Sequence, residues 1–518
     1  MRRHPRGASN EAGASRTGPG ARSGGMHRRV LRACLTGWAL WGGLAEAAVP
    51  SLEHLYPAGG GLGTTQVVAL SGKFDPWPPG FWIEGSGVSV ASTAQTGRVQ
   101  VAIAPDAVPG ARWFRVFDGE GAGEPRLFVV GGTAEISDVE PNNAFAKPQA
   151  VTGLPVTING RLDKNGDVDS FAVEVPEGRW LEARLDAYLL MSRVDAVLRL
   201  VSPEGAPLAW NHDAQALDPR VIWKAPKTRT VVVQVFGFKY PADSSIQLTG
   251  GEGAVYRLHL AVLEASPDGP PPPPPGETPV SYPVTFRGAV VAETAEQRHR
   301  IRATRNDRLE IRVDAVSQGT PWDPRVRVED AAGKVLAEND DAEGSSDPRL
   351  DWQVPADGEY GVVVASRIRR GSPQFRYELT VAPAKPGFRA TTTASEFRVT
   401  AGATNAVKVA LARHHGHDRE LRLAFRDLPE GVRCEPAKAA AGVGEATLNL
   451  IAATNAPATS RPVRLWVESD DPAEAASVEY DLASRGENNG VPQGYSRLLR
   501  SGIDTLWLTV ARPPEPPK

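Results

Sequence analysis

Cysteine is nearly absent from this sequence, which contains two in 518 residues. Cys34 lies in the N-terminal apolar segment described below, so Cys434 is the single cysteine in the rest of the chain. One cysteine cannot form an internal disulfide, and each domain must therefore be stabilised by its own hydrophobic core. The length allows this, because a domain takes roughly 100 to 200 residues and the chain has room for about three to five.

The familiar motifs of enzymes are also missing. The sequence has no Gly-x-Ser-x-Gly elbow, no His-Glu-x-x-His zinc motif and no Walker phosphate loop. Cys434 follows a turn at Gly431, and we interpret it as a small strand residue rather than a nucleophile. No histidine has the serine or cysteine context of a catalytic triad. The sequence therefore predicts a protein that is not an enzyme.

An excess of positive charge is lacking as well. Residues 1–47 hold eight of the 58 basic and two of the 61 acidic residues, so the remainder carries 50 and 59, a net charge of −9. Proteins that bind nucleic acid through its phosphates need clustered Lys and Arg. This charge balance excludes a nucleic-acid partner.

Long hydrophobic runs are confined to the N-terminus. Residues 26–29 include two arginines, residues 30–44 are apolar except for Arg32 and Thr36, and Ala45-Glu46-Ala47 follows. This order is typical of a secretory signal peptide, and the run is too short for a membrane span. We expect residues 1–47 to be a leader and signal peptide, with Met26 as the true start. The mature chain would be exported to the periplasm, the cell surface or the medium, without a membrane span.

What the sequence does contain is a duplication. Six residues recur 128 positions later: Asp195, Gly205, Leu208, Ala209, Asn211 and Asp213 recur as Asp323, Gly333, Leu336, Ala337, Asn339 and Asp341. Gly160 recurs as Gly288 at the same shift, and Tyr256-Arg257-Leu258 matches Tyr377-Glu378-Leu379. Solenoid repeats have about 20 to 50 residues, so a period above 100 indicates a duplicated domain.

Strand patterns dominate the whole chain. The 52 glycines and 45 prolines suit short strands joined by turns. Apolar and polar residues alternate repeatedly near the C-terminus, for example at Val407, Val409 and Leu411. The pattern predicts an all-β protein of four tandem β-sandwich domains, immunoglobulin-like or jelly-roll-like, joined by short linkers.

The predicted boundaries follow the composition. They are 1–47 for the leader and signal peptide, 48–132 for a first sandwich, 133–265 for copy one of the duplicated sandwich, 266–280 for a proline-rich linker, 281–384 for copy two, and 388–512 for a last sandwich. Six consecutive prolines at 270–275 favour an extended spacer between the copies.

Two of these regions resemble known families. Residues 56–65, with a glycine-rich stretch that we interpret as a turn, and residues 106–110 are similar to the immunoglobulin-like TIG domain. In copy one, residues 138–143 (Asp-Val-Glu-Pro-Asn-Asn), 160–162 (Gly-Arg-Leu) and 166–171 (Gly-Asp-Val-Asp-Ser-Phe) resemble the bacterial pre-peptidase C-terminal domain. That family is a small β-sandwich found beside secreted peptidases.

The second resemblance implies a calcium site in copy one. It points to six residues with side-chain oxygens: Asp138, Glu140, Asn142 and Asn143 before the sandwich, and Asp167 and Asp169 in the first hairpin. Calcium takes several oxygen ligands, and its binding would stabilise the domain. Alternatively, residues 138–143 are a polar linker and residues 166–169 a turn with local hydrogen bonds.

Copy two departs from the family at these positions. The proline linker occupies the place of residues 138–143, Ala295 aligns with Asp167, and Gln297 aligns with Asp169. We therefore expect copy two to keep the fold and to lack the metal site.

Other polar repeats and the histidines are given structural interpretations. Asp195, Asn211 and Asp213 persist in both copies, which favours capping of hairpin turns over ligand binding. His414, His415 and His417 could bind zinc or copper, but nothing makes them converge, and a solvated loop is favoured.

Aromatic residues suggest both packing and binding. Trp223 and Trp352 each follow a repeated Asp-Pro-Arg and are predicted to anchor the two cores. Six aromatic residues near turns or loop-rich segments, if exposed, would suit stacking on sugars or peptides: Trp77, Trp82, Tyr188, Phe236, Phe238 and Tyr240.

The sequence thus predicts a non-catalytic, exported, multidomain binding or scaffold protein. It would contact carbohydrate or protein at the cell envelope, with calcium as a cofactor. The alternative is a targeting or accessory module associated with a secreted hydrolase or peptidase. A catalytic domain encoded beside this chain would favour that alternative.

Overall fold

The computed structural model describes residues 48–513 except 243, 271, 292–295, 319, 321, 343–344, 368, 370, 472 and 483–498. Within this part the strands form eight sheets, and a single short 3-10 helix spans Val316–Gln318. The sheets enclose four large hydrophobic cores, so the protein is an all-β chain of tandem β-sandwiches, as the sequence predicts. The predicted leader and signal peptide lies outside the described residues. No helix in the described part is long and apolar enough to cross a membrane.

The first sandwich has two four-stranded sheets. Its strands are β1 (Ser51–Tyr56), β2 (Gly59–Gly61), β3 (Thr65–Lys73), β4 (Gly80–Ile83), β5 (Val88–Ser92), β6 (Arg98–Ile103), β7 (Gly110–Phe117) and β8 (Arg126–Gly131). The strand orders are β1-β3-β6-β5 and β2-β8-β7-β4. Val99 and Val101 in β6 are fully buried while their neighbours Arg98 and Gln100 are exposed, which is the two-residue period of a half-buried strand.

The glycine-rich stretch at residues 59–61 is a strand and not the predicted turn. It is buried and pairs parallel to β8. The guanidinium of Arg257, from copy one, packs against it, and a Cβ atom at Gly59 would overlap that group. A Cβ atom at Gly131 would overlap the carboxylate of Glu135. The missing side chain at residue 59 therefore allows two sandwiches to approach closely.

Copy one has two five-stranded sheets. Its strands are β9 (Ala134–Ser137), β10 (Gln149–Ala150), β11 (Val156–Arg161), β12 (Asp169–Val175), β13 (Trp180–Asp186), β14 (Val194–Val201), β15 (Pro207–Asn211), β16 (Arg220–Lys224), β17 (Arg229–Lys239) and β18 (Val255–Leu263). The orders are β10-β12-β17-β14-β15 and β16-β13-β18-β11-β9.

Copy two repeats this arrangement with two strands fewer. Its strands are β19 (Val284–Ala289), β20 (Gln297–Ala303), β21 (Arg308–Asp314), β22 (Pro324–Glu329), β23 (Val335–Asn339), β24 (Arg349–Gln353), β25 (Gly358–Ser366) and β26 (Arg376–Pro383). The orders β20-β25-β22-β23 and β24-β21-β26-β19 are those of copy one without β9 and β10. The duplicated sequence thus folds into the same topology twice.

The repeated glycine of each copy makes room for a tyrosine. Gly160 lies opposite Tyr256 in the β11–β18 pair, and Gly288 lies opposite Tyr377 in the β19–β26 pair. In each copy a Cβ atom on the glycine would overlap the tyrosine ring. The packing of the tyrosine ring over the glycine, rather than a turn, explains why the glycine and the tyrosine both recur.

The aspartate of each repeated Asp-Pro-Arg segment is buried and accepts hydrogen bonds from three successive backbone amides. Asp218 accepts hydrogen bonds from the amides of residues 187, 188 and 189 at 2.7, 2.6 and 2.9 Å. Asp347 accepts them from residues 315, 316 and 317 at 3.0, 2.8 and 2.8 Å. Both aspartates are buried, so each satisfies three amide groups that have little access to water.

The two repeated tryptophans differ in depth. Trp352 is buried in the core of copy two, which confirms the predicted anchor. Trp223 is partly buried and packs against the core of copy one from its edge.

The last sandwich has two six-stranded sheets. Its strands are β27 (Gly387–Thr392), β28 (Glu396–Thr400), β29 (Thr404–His414), β30 (Leu421–Arg426), β31 (Val432–Cys434), β32 (Ala437–Ala439), β33 (Glu445–Ala452), β34 (Thr459–Glu468), β35 (Ala475–Ser477), β36 (Glu479–Asp481), β37 (Gly502–Ile503) and β38 (Leu506–Ala511). The orders are β31-β33-β29-β27-β36-β37 and β28-β38-β34-β30-β32, with β35 added beside β34. The last two strands, β37 and β38, belong to different sheets.

The first and last sandwiches share a small hydrophobic core. Four side chains, each at most 4% exposed, form its centre: Trp113 and Leu127 from the first sandwich, Leu482 and Ile503 from the last. Trp113 Nε1 donates to the carbonyl oxygen of Gly502 at 3.3 Å, and Arg500 Nη2 contacts both carboxylate oxygens of Glu84 at 2.9 and 2.6 Å. The two ends of the described chain are therefore packed together.

The buried aspartates of the two copies generate a stability prediction. Asp218→Ala or Asp347→Ala should each lower the free energy of unfolding by about 2–5 kcal/mol, because each leaves three amides without an acceptor. Urea unfolding with hydrogen exchange in residues 187–189 or 315–317 would measure the effect. Asp106→Ala, at an exposed position, is the matched control. Equal unfolding curves for all three variants would contradict the assigned role.

A buried histidine in copy two generates a pH prediction. His299 is 3% exposed, and burial lowers its pKa to about 4. An unfolded histidine takes up a proton near pH 6.5, so the stability of copy two should fall as the pH drops from about 6.5 to about 4, by at most ~1.4 kcal/mol per pH unit. His299→Phe, which installs the residue that copy one has at Phe171, should flatten this dependence in chemical unfolding. His212→Gln, at an exposed position, should leave it unchanged; the opposite pattern would refute the assignment.

Candidate functional site

The acidic segment at residues 138–143 runs between the two sheets of copy one. β9 ends at Ser137 and pairs parallel to β11 in one sheet, whereas β10 begins at Gln149 and pairs parallel to β12 in the other. These are the two strands that have no counterpart among the described residues of copy two. The acidic segment is therefore held at each end by a strand that pairs with a sheet of copy one.

Three of the six predicted ligand residues come together. Asp138, Glu140 and Asp169 each place one carboxylate oxygen so that the three oxygens lie within 4.8 Å of one another. Asp138 is half-buried, Glu140 is exposed and Asp169 is buried. No other group of three or more acidic, histidine or cysteine side chains in the described part of the chain meets this spacing.

Asp169 is the most constrained of the three. It is fully buried, and Oδ2 accepts a hydrogen bond from the hydroxyl of Tyr256. Its Oδ1 atom is buried and has no hydrogen-bond partner. Burial raises the pKa of Asp169 to about 9; the Tyr256 hydrogen bond opposes this rise, and the charge of Asp138 adds to it. A carboxylate in this position calls for a positive charge.

Asn142 adds a second unsatisfied group. Its side chain is 1% exposed, and neither its oxygen nor its nitrogen has a hydrogen-bond partner. Its backbone amide donates to Glu140 Oε2 at 3.0 Å, which holds that carboxylate near the cluster. Buried amide groups in proteins are nearly always hydrogen-bonded, so the unpaired oxygen of Asn142 is a candidate ligand.

Asn143 and Asp167 lie beside the cluster and bind each other. Asn143 Nδ2 donates to Asp167 Oδ1, and Asp167 Oδ2 accepts from the amide of Asp163 at 2.6 Å. The carboxylate of Asp167 therefore closes the hairpin turn, as in the alternative interpretation of residues 166–169. Of the six predicted residues, Asp138, Glu140 and Asp169 are those whose carboxylate oxygens converge.

A tyrosine from the first sandwich completes the surroundings. The hydroxyl of Tyr56 donates to Asp138 Oδ1 at 2.8 Å, and the amide of Arg161 donates to Asp138 Oδ2 at 3.2 Å. The guanidinium of Arg161 lies over the Tyr56 ring, 4.8 Å from its centre. Sequence reasoning missed Tyr56 and Tyr256; the recurrence of Tyr256 as Tyr377 was the signal available.

Copy two has a different arrangement at the matching place. Gln297 is the counterpart of Asp169, and the hydroxyl of Tyr377 pairs with His299 Nε2 at 2.8 Å. Ala295 lies outside the described residues. The tyrosine that faces a carboxylate in copy one thus faces a neutral ring in copy two.

The histidines at 414–417 have separate partners. His415 Nδ1 lies 2.9 Å from the carbonyl oxygen of Lys385. His417 is buried, with its ring nitrogens 2.7 Å from Arg413 and 3.3 Å from Glu474. The predicted solvated loop is therefore wrong for His417, which packs the turn against the last sandwich.

The repeated asparagines act as turn caps. Asn211 Oδ1 accepts from the amide of Arg220 at 3.0 Å, and Asn339 Oδ1 accepts from the amide of Asp341 at 2.8 Å. These contacts confirm the predicted structural role.

His259 and Asp186 line a cavity of about 430 Å³ and belong to a hydrogen-bonded chain that the sequence did not reveal. His259 lies 2.7 Å from Asp186 Oδ2 and 2.8 Å from Thr157 Oγ1, in the order of a hydroxyl, imidazole and carboxylate triad. Thr157 is 1% exposed, however, and its hydroxyl also pairs with Thr133 at 2.9 Å. A nucleophile must reach its substrate, so this arrangement favours a structural role.

Comparisons with known proteins identify no family. No family model matches the chain, and no curated protein matches it. Among solved structures, fibronectin(III)-like modules of Clostridium thermocellum CbhA are 12% identical over 44% of this chain and 95% of that chain, with a TM-score of 0.13. Surface layer protein SbsC, domains 1–6, is 9% identical over 90% and 55%, with a TM-score of 0.17.

The N-terminal eight Ig domains of Down Syndrome Cell Adhesion Molecule are 9% identical over 83% of this chain and 48% of that chain, with a TM-score of 0.17. The chain thus spans about half the length of this protein and of the surface layer protein. Likenesses at this level carry no argument about activity or partners.

Proposed function

We propose that this chain is an exported, non-catalytic binding and scaffold protein of the cell envelope that holds calcium at the acidic cluster of copy one. The observation that carries the metal assignment is the buried carboxylate of Asp169, which converges with the carboxylates of Asp138 and Glu140 and whose Oδ1 atom has no hydrogen-bond donor. Export rests on the signal-peptide pattern of residues 26–47.

The donor set suits a hard divalent cation. Asp138, Glu140 and Asp169 offer carboxylate oxygens, and Asn142 offers an amide oxygen. Oxygen donors without sulfur or imidazole favour calcium over zinc or copper. Bound calcium supplies the positive charge that offsets the repulsion among the three carboxylates. The likeness of residues 138–143 and 166–171 to the pre-peptidase C-terminal domain supports the same assignment.

The position of the cluster supports a scaffold role. Asp138 accepts from Tyr56 of the first sandwich, so ordering of the acidic segment also stabilises the junction between that sandwich and copy one. The shared core around Trp113 joins the first sandwich to the last. Such contacts give the sandwiches a defined arrangement, which suits the display of binding surfaces.

The buried Thr157 supports the non-catalytic part of the proposal. The His259 chain is the arrangement most similar to a triad among the described residues, and its hydroxyl is inaccessible. A role without catalysis is consistent with the strand patterns and with the lack of enzyme motifs in the sequence.

The metal assignment predicts a calcium-dependent rise in stability. The purified chain should bind one calcium ion at the copy-one cluster and melt at a higher temperature with calcium than with chelator. At a calcium concentration of 100 times the dissociation constant, the free energy of unfolding should rise by about 2.7 kcal/mol. Asp169→Asn, which keeps the size of the side chain, should remove most of this gain because it removes a charged ligand. Isothermal titration and scanning calorimetry would measure both quantities.

Copy two offers the matched control. Gln297→Ala, at the position of Asp169, should leave the calcium gain unchanged. The metal site would be ruled out by equal melting of the unmodified chain with calcium and with chelator, or by an undiminished gain in Asp169→Asn.

The envelope role predicts binding to isolated cell envelopes. The purified chain should sediment with envelopes, and it should release no soluble sugar or peptide fragments from them. Chromatography of the supernatant would detect such fragments. A chain that stays soluble in this assay, or one that degrades the envelopes, would contradict the proposed function.

A further inference from the structure

A groove of about 410 Å³ lies on the outer face of the sheet β10-β12-β17-β14-β15 in copy one. Trp210 of β15 and Phe236 and Phe238 of β17 line it. Trp210 is 63% exposed and Phe238 is 43% exposed, which is unusual for aromatic side chains. Exposed aromatic groups gathered in one groove indicate a binding surface.

Trp210 forms part of a flat platform. Its ring stacks on the ring of His212, with centres 5.5 Å apart and planes 16° apart. His212 is in turn held by Asp213, whose Oδ2 atom lies 2.7 Å from His212 Nδ1. The platform therefore presents a broad, fixed aromatic face to solvent.

Polar groups of both signs flank the aromatic face. Asp195 lines the groove opposite Phe238, and its Oδ1 atom is buried without a hydrogen-bond partner. Arg199 lies over the ring of Phe236 at 4.9 Å, and its Nε donates to Gln234 at 3.0 Å. The groove wall thus carries one carboxylate and one positioned guanidinium.

Copy two shows that the fold does not require these aromatic residues. The strand register places Glu338 at the position of Trp210 and Arg367 at the position of Phe238. Glu338 pairs with Arg325 at 3.2 Å, and Arg367 pairs with Asp323 and Asp340 at 3.5 and 3.2 Å. The same surface is covered by ion pairs in one copy and is open and aromatic in the other.

The floor of the groove disfavours an extended peptide. β14 pairs with β15 and β17, and β17 pairs with β12 and β14, so the floor strands have a hydrogen-bonded neighbour on each side. A peptide lying over β14 and β17 could not add a strand, and it would lose the main-chain hydrogen bonds on which that mode of binding depends. Strand addition is open only at the edge strand β15, beside the groove and not across its floor.

Charge complementarity favours a neutral sugar. A pyranose ring packs its C–H face against an aromatic plane, and its hydroxyls can donate to the carboxylate of Asp195 and accept from the guanidinium of Arg199. One carboxylate and one guanidinium together impose no preference for a charged ligand. The combination of a flat platform and mixed polar groups fits this chemistry.

We infer that the groove of copy one binds the rings of a neutral oligosaccharide, with Trp210 as the stacking platform and Asp195 and Arg199 as hydrogen-bonding partners. This rests on the proposed binding function and names its ligand class. The corresponding surface of copy two has no such role.

The test uses the purified chain and a set of neutral hexasaccharides: cellohexaose, xylohexaose, chitohexaose and maltohexaose. Titration calorimetry and tryptophan fluorescence should detect binding of at least one. Trp210→Ala should weaken that binding about tenfold or more, because it removes the platform. Phe238→Arg, which installs the residue of copy two, should do the same by pairing with Asp195. Glu338→Ala, at the matching position of copy two, should have no effect.

The outcomes separate this inference from the proposed function. Melting temperatures within error of the unmodified chain would show that Trp210→Ala and Phe238→Arg remain folded. Sugar binding that both variants retain would overturn the groove, and Trp210-dependent binding of a peptide would overturn the ligand class. If no hexasaccharide binds while the chain still sediments with envelopes, the inference fails and the proposed function stands. If neither sugars nor envelopes are bound, both fail.

Discussion

The first sandwich packs against copy one around a buried guanidinium. Arg257 is fully buried and donates to both carboxylate oxygens of Glu135, at 2.9 and 2.7 Å. Gly59 and Gly131 of the first sandwich leave the space that it occupies. Loss of one partner of a buried ion pair costs about 3–5 kcal/mol, so all four positions are constrained together. Glu135 lies in β9, three residues before Asp138, and the placement of the acidic cluster follows from this contact.

The two copies show which features belong to the fold and which were added to it. Both keep the glycine–tyrosine pair and the buried aspartate that accepts three amides. Copy one alone, within the described residues, has β9, β10 and the acidic cluster. On the outer face of the sheet β10-β12-β17-β14-β15, copy one has an aromatic groove where copy two has ion pairs. Both differences lie at the surface or at the ends of strands, where substitutions leave the core unchanged.

The sequence predicted the elements better than it predicted their contacts. Alternating residues such as Val407 and Val409 indicate half-buried strands, so the all-β fold could be predicted from the sequence. The constant shift of 128 residues indicates that a domain is duplicated. Asp138, Glu140 and Asp169 were among the residues predicted through a family resemblance. The residues that form hydrogen bonds to them were not predicted. Tyr56 meets Asp138 across 82 residues, and Trp113 meets Gly502 across 389. Such contacts depend on how whole sandwiches pack, and no periodicity within a strand encodes that.

The packing of the first sandwich on the last also determines how the chain would carry a mechanical load. Val49 and Glu396 both lie close to Gly121, and β28, which begins at Glu396, pairs with β38. Tension applied at the start of the first strand and the end of the last would therefore act across the interface around Trp113 before it reached the sandwiches in between. The two copies would be shielded as a loop held out of the line of force, and their surfaces would keep their shape until that interface separated.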